Sequence, residues 1–169
     1  NVHAEKINFV DNLASTADTL VVFSSSNRIN NDFSRYDQLT SGQLTKALEI
    51  NNFKSEFGDK IEIIAPNQLN YQRVVVIGLG DEASLSSARL TRLGGNLSAH
   101  LEHKSINSID IALDDLTQQT SLVHPSADIA HGISLRAYRF ERYHSEKRTE
   151  KSYQFDVPTA TSVESHYTT

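Results

Sequence analysis

Short apolar runs rich in β-branched residues alternate along this chain with longer stretches whose apolar positions recur at helical spacing. Ile7-Asn8-Phe9-Val10 and Thr19-Leu20-Val21-Val22-Phe23 read as the first two strands. Ile61-Glu62-Ile63-Ile64 alternates, as a half-exposed strand does. Arg73-Val74-Val75-Val76-Ile77 does not alternate and is closed by Gly78, the pattern of an interior strand buried on both faces. Ile109-Asp110-Ile111-Ala112-Leu113 alternates again and ends in Asp114-Asp115, and Tyr153-Gln154-Phe155-Asp156-Val157 supplies a last strand.

Three helices are predicted between these runs. The first spans about Gln38 to Asn51, with Leu44, Ala47 and Leu48 on one face. The second starts near Ser84 as N-cap and carries Leu90, Leu93, Leu97 and Leu101 on one stripe. Gly94-Gly95 in its middle costs helix stability, which points to close packing against a strand or another helix. The third runs from about Ser126 to Tyr143, with Pro125 just ahead of its first turn and Ile129, Ile133, Arg136, Ala137 and Phe140 at helical spacing. Of its last residues, Tyr138, Phe140 and Tyr143 are expected to dock it, with Arg139 and Arg142 in water. Ser24 to Ser34 is polar and reads as a surface loop. This alternation predicts an α/β fold, a mixed, largely parallel sheet with helices on its faces.

Composition narrows the function classes. At 169 residues the chain makes one domain, hiding roughly 70% of its unfolded surface. No apolar run approaches the ~20 residues of a membrane helix, and no basic segment followed by an apolar stretch marks a signal peptide. Without cysteine there is neither a disulfide framework nor a thiolate metal site, which fits a reducing cytosol. The start at Asn1 and the absence of methionine lead us to expect a fragment or a processed chain. The net charge of -5 argues against nucleic acid as the main partner. Arg136 to Lys151 nevertheless carries +3, so the rest carries -8; a solvated helix face explains this more simply than a basic docking surface.

Four groups of residues invite a chemical reading. Gly78-Leu79-Gly80-Asp81-Glu82-Ala83 spells G-x-G-x-x-A between a strand and a helix, the arrangement that seats a pyrophosphate in dinucleotide-binding folds. Asp81 and Glu82 would repel those phosphates, and Asp110 and Asp114 come too late for the ribose-binding acid. A strand-to-helix turn with acids at the positive helix end is the simpler account. His100 and His103 share a helix face, but Glu102 between them points elsewhere and no H-E-x-x-H occurs. His124, His131 and His144 are isolated. Asp110, Asp114 and Asp115 gather at a strand end, yet Asp114 and Asp115 face opposite ways in a strand. No G-x-S-x-G supports a serine nucleophile.

A resemblance joins these segments. Asp37, Gly42-Gln43-Leu44, Ala47-Leu48, Phe53 and Gly58 resemble the first-helix region of cytosolic leucyl aminopeptidases. Val75-Val76-Ile77-Gly78-Leu79-Gly80 resembles their central strand and turn, followed by Arg89, Arg92 and Gly94-Gly95. Gly132-Ile133-Ser134-Leu135-Arg136-Ala137-Tyr138-Arg139-Phe140-Glu141-Arg142-Tyr143 resembles the family's G-x-x-L-x-x-Y-x-F-x-x-Y helix, continued here by Glu146-Lys147-Arg148. The match runs from about Ala17 to Lys151.

The resemblance implies a macro-domain-like three-layer α/β sandwich over 1–157, with 158–169 as linker towards an absent C-terminal catalytic domain. It implies a parent that is cytoplasmic, homo-hexameric and dependent on two divalent metal ions, zinc or manganese, and that releases N-terminal residues such as leucine from peptides. The metal ligands of that family surround an N-T-D-A-E-G-R motif that does not occur here, so no catalytic, cofactor-binding or metal residue carries over. This domain would then shape access to the active site and contribute subunit contacts, with the C-terminal domain of the same chain as its partner. The alternative is a stand-alone macro-type module that binds ADP-ribose or a related nucleotide.

Overall fold

The computed structural model describes residues 5–103, 105–113, 116, 122–143 and 150–157, with backbone alone at 140–143. The strands are β1 (Lys6–Val10), β2 (Thr19–Ser25), β3 (Lys60–Ile64), β4 (Arg73–Gly80), β5 (Ser108–Ile111) and β6 (Ser152–Asp156); the helices are α1 (Asn31–Leu39), α2 (Gln43–Ile50), α3 (Ser87–His100) and α4 (Pro125–Tyr143). The strands form one sheet in the order β1-β6-β5-β2-β4-β3. Every pairing is parallel except that of β3 with β4. All the strands expected from the apolar runs are present, and the sheet is mixed and largely parallel.

β2 and β4 lie side by side with Val21 opposite Val75 and Phe23 opposite Ile77. Val21, Phe23, Val75 and Ile77 join one core with Leu90, Leu93 and Leu97 of α3 and Ile129 and Ile133 of α4. Leu20, Val22, Val74 and Val76 join a second core with Phe33 and Tyr36 of α1 and Leu44 of α2. Both faces are thus covered, which is why these strands show continuous apolar runs. Val74, Val75, Val76 and Ile77 are all buried, and β4 is interior, as the lack of alternation requires. β3 is the edge strand; Ile63 faces the core while Ile64 is 62% exposed.

Three expected element boundaries need correction. The helix expected over 38–51 is two helices, broken at Thr40–Gly42, where Ser41 (φ 58°) and Gly42 (φ 84°) take the left-handed conformation. Asp37 bridges the break: its carboxylate accepts from Thr45 N at 2.8 Å and Thr45 Oγ1 at 2.6 Å, capping α2 from the preceding helix. The stretch 24–34 is not a surface loop throughout, because β2 continues to Ser25 and α1 begins at Asn31. The cap of α3 is Ser86, whose Oγ accepts from Arg89 N, whereas Ser84 ends a preceding 3-10 turn.

The close packing anticipated at Gly94-Gly95 is between α3 and α4. A Cβ on Gly94 would lie 2.0 Å from Ile129 O, and one on Gly132 would lie 1.9 Å from Thr91 O. Backbone therefore meets backbone at this seam. Ala137 is buried and Arg139 exposed, as expected, but Tyr138 is 47% exposed and does not dock α4. It follows Ala137 by one position, which turns it 100° away from the buried stripe. The side chains of Phe140, Arg142 and Tyr143, and the linker expected over 158–169, lie outside the described residues.

Candidate functional site

Parallel α/β sheets bind ligands where adjacent strands send their chains in opposite directions. Here that point lies at the carboxyl ends of β2 and β5, since β2 leads towards β4 and β3 while β5 leads towards β6. The β2 end is polar and closed. Ser25 N donates to Asn30 Oδ1 at 2.7 Å, and Asn30 Nδ2 donates to Glu82 Oε2 at 2.8 Å. Ser25 Oγ also donates to Glu82 Oε2, and Arg28 Nε to Glu82 Oε1 at 2.9 Å. Glu82, 8% exposed, thereby ties the β2–α1 connection to the turn after β4.

That turn is the G-x-G-x-x-A segment, and its glycines answer to backbone geometry. A Cβ on Gly78 would fall 2.2 Å from Glu56 O, where 55–59 pairs with the end of β4. Gly80 has φ 67°. Asp81 accepts from Ala83 N as a cap, in keeping with acids at a helix start; Glu82 instead turns inward. Both acids of the segment are thus committed to partners within this chain.

Beside this closed end lies a cleft of about 560 Å³ lined by Asp11, Ser15, Asp32, Arg35, Tyr36 and Asp156, among others. Arg35 donates to Asp32 at 2.7 Å, and its guanidinium lies 4.6 Å from the Tyr36 ring centroid. Asp156 Oδ1 accepts from Leu113 N at 2.5 Å. Burial pushes the Tyr36 phenol above its ordinary range, and the nearby positive charge of Arg35 opposes this.

Asp110 is buried on the α1/α2 side of the sheet, where Tyr71 Oη donates to its Oδ2 at 2.7 Å. Burial raises the Asp110 carboxyl above the usual range, while the bonds from Tyr71 and the Ser15 backbone pull it down. Burial and the bond to Asp110 raise Tyr71 strongly. Asp114 and Asp115 lie outside the described residues, so the cluster expected with Asp110 is not assembled here. His100 and His103 take different partners: His100 Nε2 meets Glu62 Oε2 at 2.7 Å and His103 Nδ1 meets Ser105 Oγ at 2.8 Å. Glu102 pairs with Arg136 at 3.1 Å. His124 and His131 are exposed, and His144 lies outside the described residues. Among the described residues no group of three metal-ligating side chains converges.

The sequence holds no hint of the Ser25–Asn30–Glu82–Arg28 network or of the cleft, because Glu82 is 52 to 57 positions from its three partners and the cleft residues come from different elements. A further unforeseen feature is a trough along the outer seam of α3 and α4, lined by Arg92, Gly95, Gly132, Leu135, Arg136 and Arg139 among others.

Known proteins match this architecture. The family model for the N-terminal domain of the cytosol aminopeptidase family matches residues 20–147. A probable cytosol aminopeptidase 1 of Shewanella oneidensis is 30% identical over 167 residues, covering 99% of this chain and 33% of that protein. The chain spans about a third of the length of the curated relatives it matches. Among solved structures, a tomato leucine aminopeptidase mutant superposes with TM-score 0.71 at 18% identity, over 93% of this chain and 33% of that one. A Trypanosoma brucei macrodomain superposes with TM-score 0.69 at 12% identity, over 98% of this chain and 67% of that one. The structures show the shared fold, and the length and identity of the sequence matches show the lineage: this chain belongs to the cytosol aminopeptidase family, as its N-terminal domain.

Proposed function

We propose that this domain is the non-catalytic N-terminal part of a cytoplasmic, homo-hexameric leucyl aminopeptidase, where it shapes access to the active site and contributes subunit contacts. The observation that carries the reading is the match along 99% of this chain to a probable aminopeptidase three times its length. Among the described residues the carboxylates do not fit a two-metal centre. Glu82 is held by Ser25, Asn30 and Arg28, Asp110 by Tyr71, Asp32 by Arg35, and these groups lie on separate elements. A pair of zinc or manganese ions needs several convergent ligands that hold the two ions ~3.5–4 Å apart. Those ligands belong to the C-terminal part of the polypeptide. Purified 1–169 should release no chromogenic leaving group from a leucine amide with either metal, and joining the C-terminal part should bring metal-dependent release. A chelator-sensitive rate that stays with 1–169 through purification and disappears in Asp110→Ala would defeat this reading.

A second reading is a macro-type nucleotide module with its ligand in the cleft beside β6, since one macrodomain of this fold has been solved in complex with ADP-ribose. Three aspartates on its wall, Asp11, Asp32 and Asp156, oppose a pyrophosphate, with one arginine to offset them. ADP-ribose at 100 Kd would add about 2.7 kcal/mol of stability; no thermal shift is expected.

A further inference from the structure

The outer seam of α3 and α4 carries the feature that the fold leaves unexplained. Because glycines let the two backbones touch, their outward surface is a trough of about 320 Å³ floored by Gly95 and Gly132. Arg92 stands on the α3 side, Arg136 and Arg139 on the α4 side, and the 41% exposed Leu135 adds an apolar contact. Glu102 answers Arg136, but among the described residues no acid pairs with Arg92 or Arg139. Three guanidinium groups thus line one narrow groove in a chain whose net charge is -5.

We propose that this trough seats an acidic segment with one apolar side chain, contributed by the C-terminal part of the same polypeptide; this rests on the reading that such a part follows. Between Thr91 and Ala99 the trough runs about 12 Å, and its volume leaves a channel roughly 5 Å across. That length takes three or four residues of extended chain at ~3.3 Å each, or one ridge of a helix. A nucleic-acid duplex is far too wide to enter, and the negative net charge opposes a polyanion. A second copy would have to bring its own exposed acids, Glu56, Asp59 and Asp81 among them, into the trough, an association that dilution would undo. Arginine forks bind carboxylates in pairs of parallel hydrogen bonds, so the trough fixes the position of what it holds as well as attracting it.

The test is arginine modification by phenylglyoxal in the polypeptide extended through its C-terminal part, read residue by residue by mass spectrometry. Arg35, with its side chain 53% exposed, is the internal reference. Arg92 and Arg139 should react about tenfold more slowly than Arg35, because each must wait for the segment to lift. Arg92→Glu should release Arg139 to the Arg35 rate, since the segment binds as a unit. If Arg92 and Arg139 react as fast as Arg35 in a polypeptide with metal-dependent peptidase activity, the docking inference fails while the parent reading stands. Slowing that vanishes on dilution would assign the trough to a second copy, and slowing that requires added duplex DNA would assign it to nucleic acid; either overturns the proposal. An extended polypeptide with no metal-dependent activity removes the parent reading, and this inference with it.

Discussion

Replacing Gly94 and Gly95 by alanine, one at a time, separates helix propensity from packing at two neighbouring positions. In an exposed helix interior the exchange stabilises by about 1 kcal/mol, because glycine loses more backbone freedom on folding. Gly95 should behave so, since the nearest atom to its added Cβ is Gly132 O at 3.7 Å, an ordinary contact. At Gly94 the methyl would lie 2.0 Å from Ile129 O and 2.9 Å from Ile129 C, and neither is a side-chain end that can swing away. Relief requires α3 and α4 to part by about 1 Å, which forfeits a quarter to a half of the dispersion energy across the seam. Overpacking of this kind costs about 1–3 kcal/mol, and two rigid backbones put it at the upper end. Net of propensity, Gly94→Ala should lose about 2 kcal/mol while Gly95→Ala gains up to about 1. Urea unfolding followed by far-ultraviolet circular dichroism gives both from the midpoints, provided the slopes stay constant. Midpoints moving in the same direction would refute the backbone-contact argument.

Glu82→Ala removes the acceptor shared by Ser25, Asn30 and Arg28 and should cost about 2–4 kcal/mol in urea melts, with Glu82→Gln losing less; a loss below 0.5 kcal/mol would mean the network is not held by its carboxylate. For Asp110 the folded carboxyl lies above its ordinary value of 3.8, so the folded state binds the proton more tightly than the unfolded one. The native stability advantage over Asp110→Asn is therefore full below that value and shrinks as pH rises through the folded one. Melts from acid pH upwards check the sign, and an advantage that grows with pH refutes it.

The legible parts of the fold were those where a single element announces its own environment. β4 is a continuous apolar run because two helical layers cover it, and α3 shows its leucine stripe because one face meets the sheet. α1 shows no clear stripe because Phe33 and Tyr36 are its only buried apolar side chains, and Asp32 beside them is buried with Arg35 as its partner. Asn30 finds Glu82 at a separation of 52, and Ser24 finds Ser55 at 31. The break before α2 is not legible because its cap comes from Asp37, eight positions before the Thr45 it holds and ahead of the expected helix. The glycine pair pointed to close packing, but which glycine touches backbone depends on helix rotation, and no local pattern states it.

The first and last described strands are neighbours: β1 pairs along its whole length with β6, and Glu5 Oε1 accepts from Lys151 N across 146 positions. A ribosome adding about 5–20 residues each second needs on the order of ten seconds to travel from one strand to the other. Throughout that interval Ile7, Phe9 and Val10 have no edge to join, since β6 separates them from the rest of the sheet. β1 is consequently the last strand to be joined to the sheet, and it stays unpaired at least until β6 has been made.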